Sequence, residues 1–329
     1  MSTTRHVSTT ALTAHHLQVQ ATATAPLELR QHTGASLRGA FFGALWGRFC
    51  TNHAAPTCAS CPLVPVCPVS ALVAPLRDEA PRGRDVPRPF AIRPPVHHAR
   101  IFGPGESFTF GLTLFGCGLA LFPYIVMALH EMAHHGVGRR VPQNNWERGA
   151  FRINEIQAVN PLTGRAQTIQ TAGSNQVQVP DLPITWADAV QQAASMPTDR
   201  LTLRFLTPLR LVEQKRLVKT PDLRPLVQRL LERHDGLARE CDGTPVAADT
   251  RREWIAAAAA IVLERTDVYW VDLSSFSSRQ RRTTPIGGLV GTATYRGDLR
   301  PLLPLLVWGT VIQVGKDTTK GNGVYSITD

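Results

Sequence analysis

Four cysteines crowd one short stretch: Cys50, Cys58, Cys61 and Cys67, spaced C-x7-C-x2-C-x5-C. Four thiolates suit tetrahedral zinc, and the Cys58/Cys61 pair has the knuckle spacing of structural sites. Pro62, Pro65 and Pro68 stiffen the intervening chain. A four-cysteine iron–sulfur cluster is an alternative, and four free thiols are a third. A closed four-thiolate site has no open position, so its role would be structural. A second constellation, His130-Glu131-Met132-Ala133-His134, matches H-E-x-x-H. On a helix its two imidazoles share a face and could hold catalytic zinc, with Glu131 as base. The longer extension fails, because Arg140 stands at its third histidine position. Glu155, the other source of a third ligand, falls in a segment with strand character.

Two further segments suit phosphate. Gly315-Lys-Asp-Thr-Thr-Lys-Gly-Asn-Gly323 could offer successive backbone N–H groups, with Lys316 and Lys320 adding charge. It lacks the G-x-x-x-x-G-K-[ST] spacing of a nucleotide-binding loop. Upstream, Arg279, Arg281 and Arg282 lie among Ser and Thr, a composition suited to a sugar–phosphate backbone. An ordinary glycine turn and a solvated basic loop are the plain alternatives.

The whole composition leans the same way. Of 329 residues, 35 are Lys or Arg and 25 Asp or Glu, for a net charge of +10. A polyanion is therefore the first partner to expect. Hydrophobic residues make up 43%, which excludes wholesale disorder. Six cysteines, four of them clustered, point to a metal site in a reducing compartment, with Cys117 and Cys241 scattered elsewhere. The polar N-terminus lacks the apolar core of a secretory signal, and a cytoplasmic protein is expected. Ser107 to Leu129 carries no charge and is long enough to span a bilayer. Its alternation of Phe108, Phe110, Leu112 and Leu114 with Thr and Gly predicts a buried strand feeding a buried helix, with no membrane partner.

These residues need elements to position them. Leu17 to Leu29 is a first strand region, and Leu37, Phe41 and Leu45 predict a helix over Ser36 to Cys50. The cysteine segment, about residues 50–70, follows as an insertion. Pro75 to Pro95 should be irregular apart from a short strand at Phe90 to Arg93. Ser107 to Phe115 is a strand, Leu119 to His135 a helix, and Phe151 to Val159 with Gln167 to Thr171 a hairpin. In the second half, Leu201, Leu203 and Phe205 mark a strand. Helices follow at Asp222 to Glu240 and Trp254 to Glu264, then strands at Val268 to Leu273 and Gly288 to Arg296. An apolar helix at Leu299 to Val311 and a strand at Val324 to Ile327 end the chain. Strand–helix–strand–strand–helix–strand thus occurs twice. The expectation is an α+β protein of tandem ferredoxin-like domains, residues 1–196 with the cysteine insertion and residues 197–329 with the Gly-rich loop.

Several of these segments, in this order, resemble one family. They are Leu201-Thr-Leu-Arg-Phe-Leu-Thr-Pro-Leu-Arg-Leu211, Ser278-Arg-Gln-Arg-Arg282, Gly287-Gly-Leu-Val-Gly291, Tyr295-Arg-Gly-Asp-Leu299 and the Gly315–Gly323 loop. Ser36-Leu-Arg-Gly-Ala40 and Arg88-Pro-Phe-Ala-Ile-Arg-Pro-Pro95 extend the likeness into the first half. The chain resembles the CRISPR-associated precursor-crRNA endoribonucleases of the RAMP superfamily, in the branch often found beside type III systems.

The resemblance implies binding of CRISPR repeat RNA and cleavage without a catalytic metal. The 2′-OH attacks the adjacent phosphate and leaves a 2′,3′-cyclic phosphate, which needs a base, an acid and a cation. It also implies other CRISPR effector subunits as partners. A histidine near the first helix often takes part in such enzymes, which makes His32 and His53 candidates for base or acid. Lys316 joins them as a candidate catalytic cation. Arg38, Lys316 and Lys320 are candidates for phosphate contact or charge stabilisation. Arg279, Arg281, Arg282, Gly315, Gly321 and Gly323 complete the expected RNA-binding set. Relatives commonly carry His where Gln313 stands, so a non-catalytic crRNA-binding subunit is the alternative. The zinc metalloprotease is a remote third reading.

Overall fold

A computed structural model describes residues 12–75, 86–96, 99–241, 243–277 and 282–328. In the first half, strand β1 (Ala14–Ala23) leads to helix α1 (Gly34–Phe49). After the cysteine segment come α2 (Pro68–Val73), β2 (Phe90–Arg93), β3 (Ser107–Phe115), α3 (Phe122–His135), β4 (Phe151–Asn160) and β5 (Arg165–Thr171). The sheet is antiparallel in the order β2-β3-β1-β4-β5. Counting only the strands of the repeated unit, that order is 2-3-1-4, with β5 added at the edge.

Alternation decides which face of β1 is buried. Leu17, Val19, Ala21 and Ala23 face α1 and α3, while Gln18, Gln20 and Thr22 face away. On α1 the four-residue spacing of Leu37, Phe41 and Leu45 buries one stripe. Each of those side chains contributes roughly 1.5–3 kcal/mol. Cys50, in extended conformation, ends the helix. A smaller four-stranded sheet of Arg100–Phe102, Leu27–Leu29, Val137–Val141 and Glu147–Gly149 flanks this core.

A short helix, α4 (Trp186–Ala193), opens with a Thr185/Asp188 capping box. It precedes β6 (Arg200–Leu209), the small hairpin β7 (Val212–Glu213) and β8 (Arg216–Leu217), α5 (Leu223–Glu240) and α6 (Ala248–Ala260). Then come β9 (Val262–Val271), the hairpin β10 (Ser274–Ser277) and β11 (Arg282–Pro285), β12 (Gly288–Arg296), α7 (Leu303–Ile312) and β13 (Tyr325–Thr328). The order β9-β12-β6-β13 is again 2-3-1-4 within the unit. Both halves therefore carry the expected ferredoxin-like topology.

Three expectations need correction. The helix expected over Trp254 to Glu264 stops at Ala260, and the chain turns extended at Ile261. Val262 to Val271 instead pairs along β12, so tertiary pairing outweighs the helical preference of the alanine run. Cys117 and Cys241 are not independent: a disulfide joins them across the two halves, with Cα atoms 4.9 Å apart. Trp186 to Ala193 was expected in no element, yet α4 packs against α7 and its Ala189 and Ala193 enter the core of the second half.

The apolar stretch resolves as a strand and a helix. Gly116 to His135 is long and apolar enough to cross a membrane by length and composition alone. Here β3 lies inside the first sheet, and Ile125, Ala128, Leu129 and Met132 are buried in the first core.

Candidate nucleic-acid interface

The two halves meet where the Gly-rich loop of the second reaches the start of α1 in the first. The loop follows α7, which has Pro304 in its first turn, where the N–H is not needed. Gly321 has φ 79°, and a Cβ there would lie 2.8 Å from Pro94 Cδ. A Cβ on Gly34 would lie 2.1 Å from the Lys320 carbonyl oxygen. Only glycine permits that approach. Lys320 thus sits against the first turn of α1, two residues from His32.

His32 occupies this junction in the left-handed region, at φ 60°. Its Nε2 is buried without a hydrogen-bond partner among the described residues. Burial pushes the imidazole below its ordinary pKa, which favours the neutral, proton-accepting form. Arg38 lies one turn into α1, its guanidinium 5.2 Å from the Phe42 ring centre. Lys320 pairs with Asp317 at 3.0 Å, and Lys316 is exposed.

Five of the loop's amides bond within the protein. The Lys316 N–H donates to Arg210 O, those of Lys320 and Asn322 to Asp317 O, Gly321's to Thr318 O and Gly323's to Pro208 O. Gly315, Gly321 and Gly323 all have positive φ and fold the loop on itself. A Cβ on Gly323 would fall 1.8 Å from Val314 O. These three glycines shape the site, while the lysines carry the charge.

Asn322 carries the site onward. Its Nδ2 donates to Ile286 O at 2.7 Å, fixing the base of the β10–β11 hairpin to the loop. Arg282 begins β11 and is exposed; Arg279 and Arg281 lie outside the described residues. Phe276, across from Thr283, is 66% exposed, an apolar face beside the arginine segment. The β7–β8 hairpin adds exposed Lys215 and Arg216 next to Arg210, whose carbonyl holds Lys316. Sequence reasoning missed Lys215, Arg216 and Phe276. The Glu213-Gln-Lys-Arg216 turn was the available signal for the first two.

His53 does not join this site. It stacks edge-on against Trp46 at the other end of α1, ring centres 4.2 Å apart. A helix of 16 residues, about 24 Å long, runs between the two histidines. The four cysteines share that far end. None of the four is in a disulfide; all are half-buried and line one pocket with Phe42, Trp46 and His53. Among the described residues no three His, Cys, Asp or Glu side chains come close enough to hold a single metal ion.

The H-E-x-x-H reading is overturned. His130 Nε2 is 2.8 Å from Gln170 Oε1 on β5. Glu131 pairs with His135 at 2.8 Å and with Arg48 at 3.9 Å. His130 and Glu131 are thus engaged in surface contacts of α3, and His134 packs on the His135 ring.

Two 2-3-1-4 sheets with a lysine-bearing loop where the halves meet define a tandem ferredoxin-like protein. Family comparison agrees and goes further. Residues 12–182 match the AF_1859_N family, an N-terminal domain, and residues 203–325 match the CRISPR-associated endoribonuclease Cas6. The chain thus belongs to the AF_1859_N family through its first half, and its second half is a CRISPR-associated endoribonuclease Cas6 domain. A Thermus thermophilus Cas6 aligns at TM-score 0.53 and 16% identity, over 97% of this chain and 99% of its own. A Cas6 product complex gives 0.57 and 17%, over 96% and 99%. A partial Cas6-RT-Cas1–Cas2 complex gives 0.58 and 13%, over 96% of this chain and 46% of that one. At these identities the likeness establishes the fold. No curated protein sequence matches the chain.

Proposed function

We propose that this endoribonuclease binds CRISPR repeat RNA and cuts it without a catalytic metal, in the cytoplasm, to release crRNA. The 2′-hydroxyl attacks the neighbouring phosphorus, the bond to the 5′-oxygen breaks, and a 2′,3′-cyclic phosphate and a 5′-hydroxyl remain. The carrying observation is the junction itself: His32, with a neutral and unpartnered Nε2, beside the lysine-bearing loop of the other half. His32 accepts the 2′-hydroxyl proton. Lys316 and Lys320 face the charge that develops on the phosphorane, and a lysine ammonium returns a proton to the leaving oxygen. Arg282 and the hairpins hold the flanking backbone. Assembly with other CRISPR proteins follows the precedent of the Cas6-RT-Cas1–Cas2 complex.

The test uses end-labelled repeat RNA with EDTA present. A single cut leaving a cyclic phosphate, lost in His32→Ala and kept in His53→Ala, is the expected result. Tight binding with no cut would leave a crRNA-binding subunit instead.

A further inference from the structure

We propose that the exposed face of α1 and the neighbouring hairpin of Val137–Val141 and Glu147–Gly149 form a second RNA-binding surface, which stacks unpaired bases of the repeat RNA. This surface serves the same RNA and so presupposes the function proposed above. Several residues here cost the free protein stability and return nothing inside it. Gly39, Gly43 and Gly47 recur every four residues in α1, on the side away from the core. A Cβ at any of them would meet nothing within 4 Å, so no internal packing requires glycine there. Glycine is the poorest helix former after proline. What it offers is close approach of an outside group to the helix. Trp146, in the hairpin, is the second case. It is 65% exposed and lies at φ 60°, in the left-handed region that a bulky side chain rarely enters.

Around these positions aromatic rings alternate with arginines. Phe42 and Trp46 stand one turn apart beside the glycines, and both line an open pocket between α1 and the cysteine segment. The Arg38 guanidinium lies over the Phe42 ring. Arg148 lines the same pocket from the hairpin, which brings the two elements onto one surface. Arg139 is paired with Glu28 at 3.6 Å. Arg140 and Arg148 are exposed and make no ion pair among the described residues. Rings take the faces of unpaired bases with little regard to sequence, and arginines take the phosphates between them. Among the described residues the pocket lining holds Arg148 and no carboxylate, which suits a polyanion. α1 runs from the His32 junction to this pocket, so an RNA strand leaving the cut has a continuous path along the helix.

The experiment measures the affinity of the full chain for labelled repeat RNA, intact and with single abasic positions, beside thermal melting. Gly43→Leu covers the open face, removes no contact and improves helix propensity. Its melting temperature should hold or rise while RNA affinity falls roughly tenfold. Trp146→Asn, which suits the left-handed backbone, should behave in the same way. In wild type, removing the base at one or two unpaired positions should weaken binding by a similar factor, and in Gly43→Leu those removals should cost nothing more. Unchanged RNA affinity in both variants, or abasic losses that persist in full in Gly43→Leu, would overturn this surface and leave the cut site at His32 standing. Wild-type protein that does not bind repeat RNA would overturn the functional reading and this surface with it. Should Gly43→Leu fail to fold, Trp146→Asn decides by the same comparison.

Discussion

Gln313 donates its side-chain amide to the Ile92 carbonyl at 2.8 Å, fastening the end of α7 to strand β2 of the other half. It is fully buried and held at φ 62°. Nearby, Arg93 Nη1 reaches back to Thr310 O at 2.9 Å. The junction that places His32 beside the Gly-rich loop is therefore hydrogen-bonded from both sides. The family resemblance leads to histidine being expected at Gln313, but here the side chain is a clamp within the protein. Gln313→Ala leaves the Ile92 carbonyl unpaired and should cost about 1–3 kcal/mol in denaturant unfolding. Gln313→His should not raise the cleavage rate; a gain of tenfold would place this side chain in the chemistry.

His32 predicts the acid limb of the pH profile. Burial lowers its pKa below 6.5, and the base must be neutral to accept a proton. Single-turnover cleavage should rise with pH through a midpoint below 6.5 and then level. His32→Ala should remove that limb along with the activity. An unchanged limb in a residually active variant would assign it to another group.

Stability should fall in acid for a separate reason. His15, His16 and His234 are buried, and desolvation holds each below its ordinary value. Their folded pKa values lie under the unfolded 6.5, so the unfolded chain binds more protons as the pH drops. Stability is full above 6.5 and declines through the lowered folded values. Denaturant midpoints measured downward from pH 7 should follow that course, and His16→Asn should flatten it.

How much of this was legible in the sequence differs by element. The strand–helix order survived because period-two alternation at Leu201, Leu203 and Phe205 and four-residue spacing at Leu37, Phe41 and Leu45 are local signals. Pairing is not local. Nothing near Cys117 announces Cys241, and nothing in Trp186 to Ala193 tells that it packs on α7. The alanine run before Val262 predicts helix beyond the point where β12 claims the chain. At the site, His32 was named from the family resemblance, and the Gly-rich loop from its own glycines and lysines. Five of the loop's amides are taken by Arg210, Asp317, Thr318 and Pro208, partners that only the folded chain supplies.

The Cys117–Cys241 disulfide links the segment after β3 to the end of α5, so it crosses the same interface as Gln313. Cys117 is exposed, and a reductant can reach it. Reduction should lower stability by about 2–4 kcal/mol. Cys117→Ser should show the same loss without reductant and no further change with it. Equal melting of wild type with and without dithiothreitol would mean the thiols are free in solution.

Salt dependence separates residues that hold the backbone from those that do chemistry. Each phosphate neutralised by Lys or Arg releases counterions, so log affinity falls linearly with log salt. Lys316→Ala and Arg282→Ala should each weaken RNA binding and reduce that slope by about 1. Lys215→Ala should do the same if the β7–β8 hairpin lies along the RNA path from Lys316. His32→Ala, which removes no charge at neutral pH, should abolish cleavage with the slope intact. Titrations of labelled repeat RNA from roughly 50 to 200 mM salt resolve these differences. A slope indifferent to Lys316 and Arg282 together would move the interface off the junction of the two halves, and with it the case for His32.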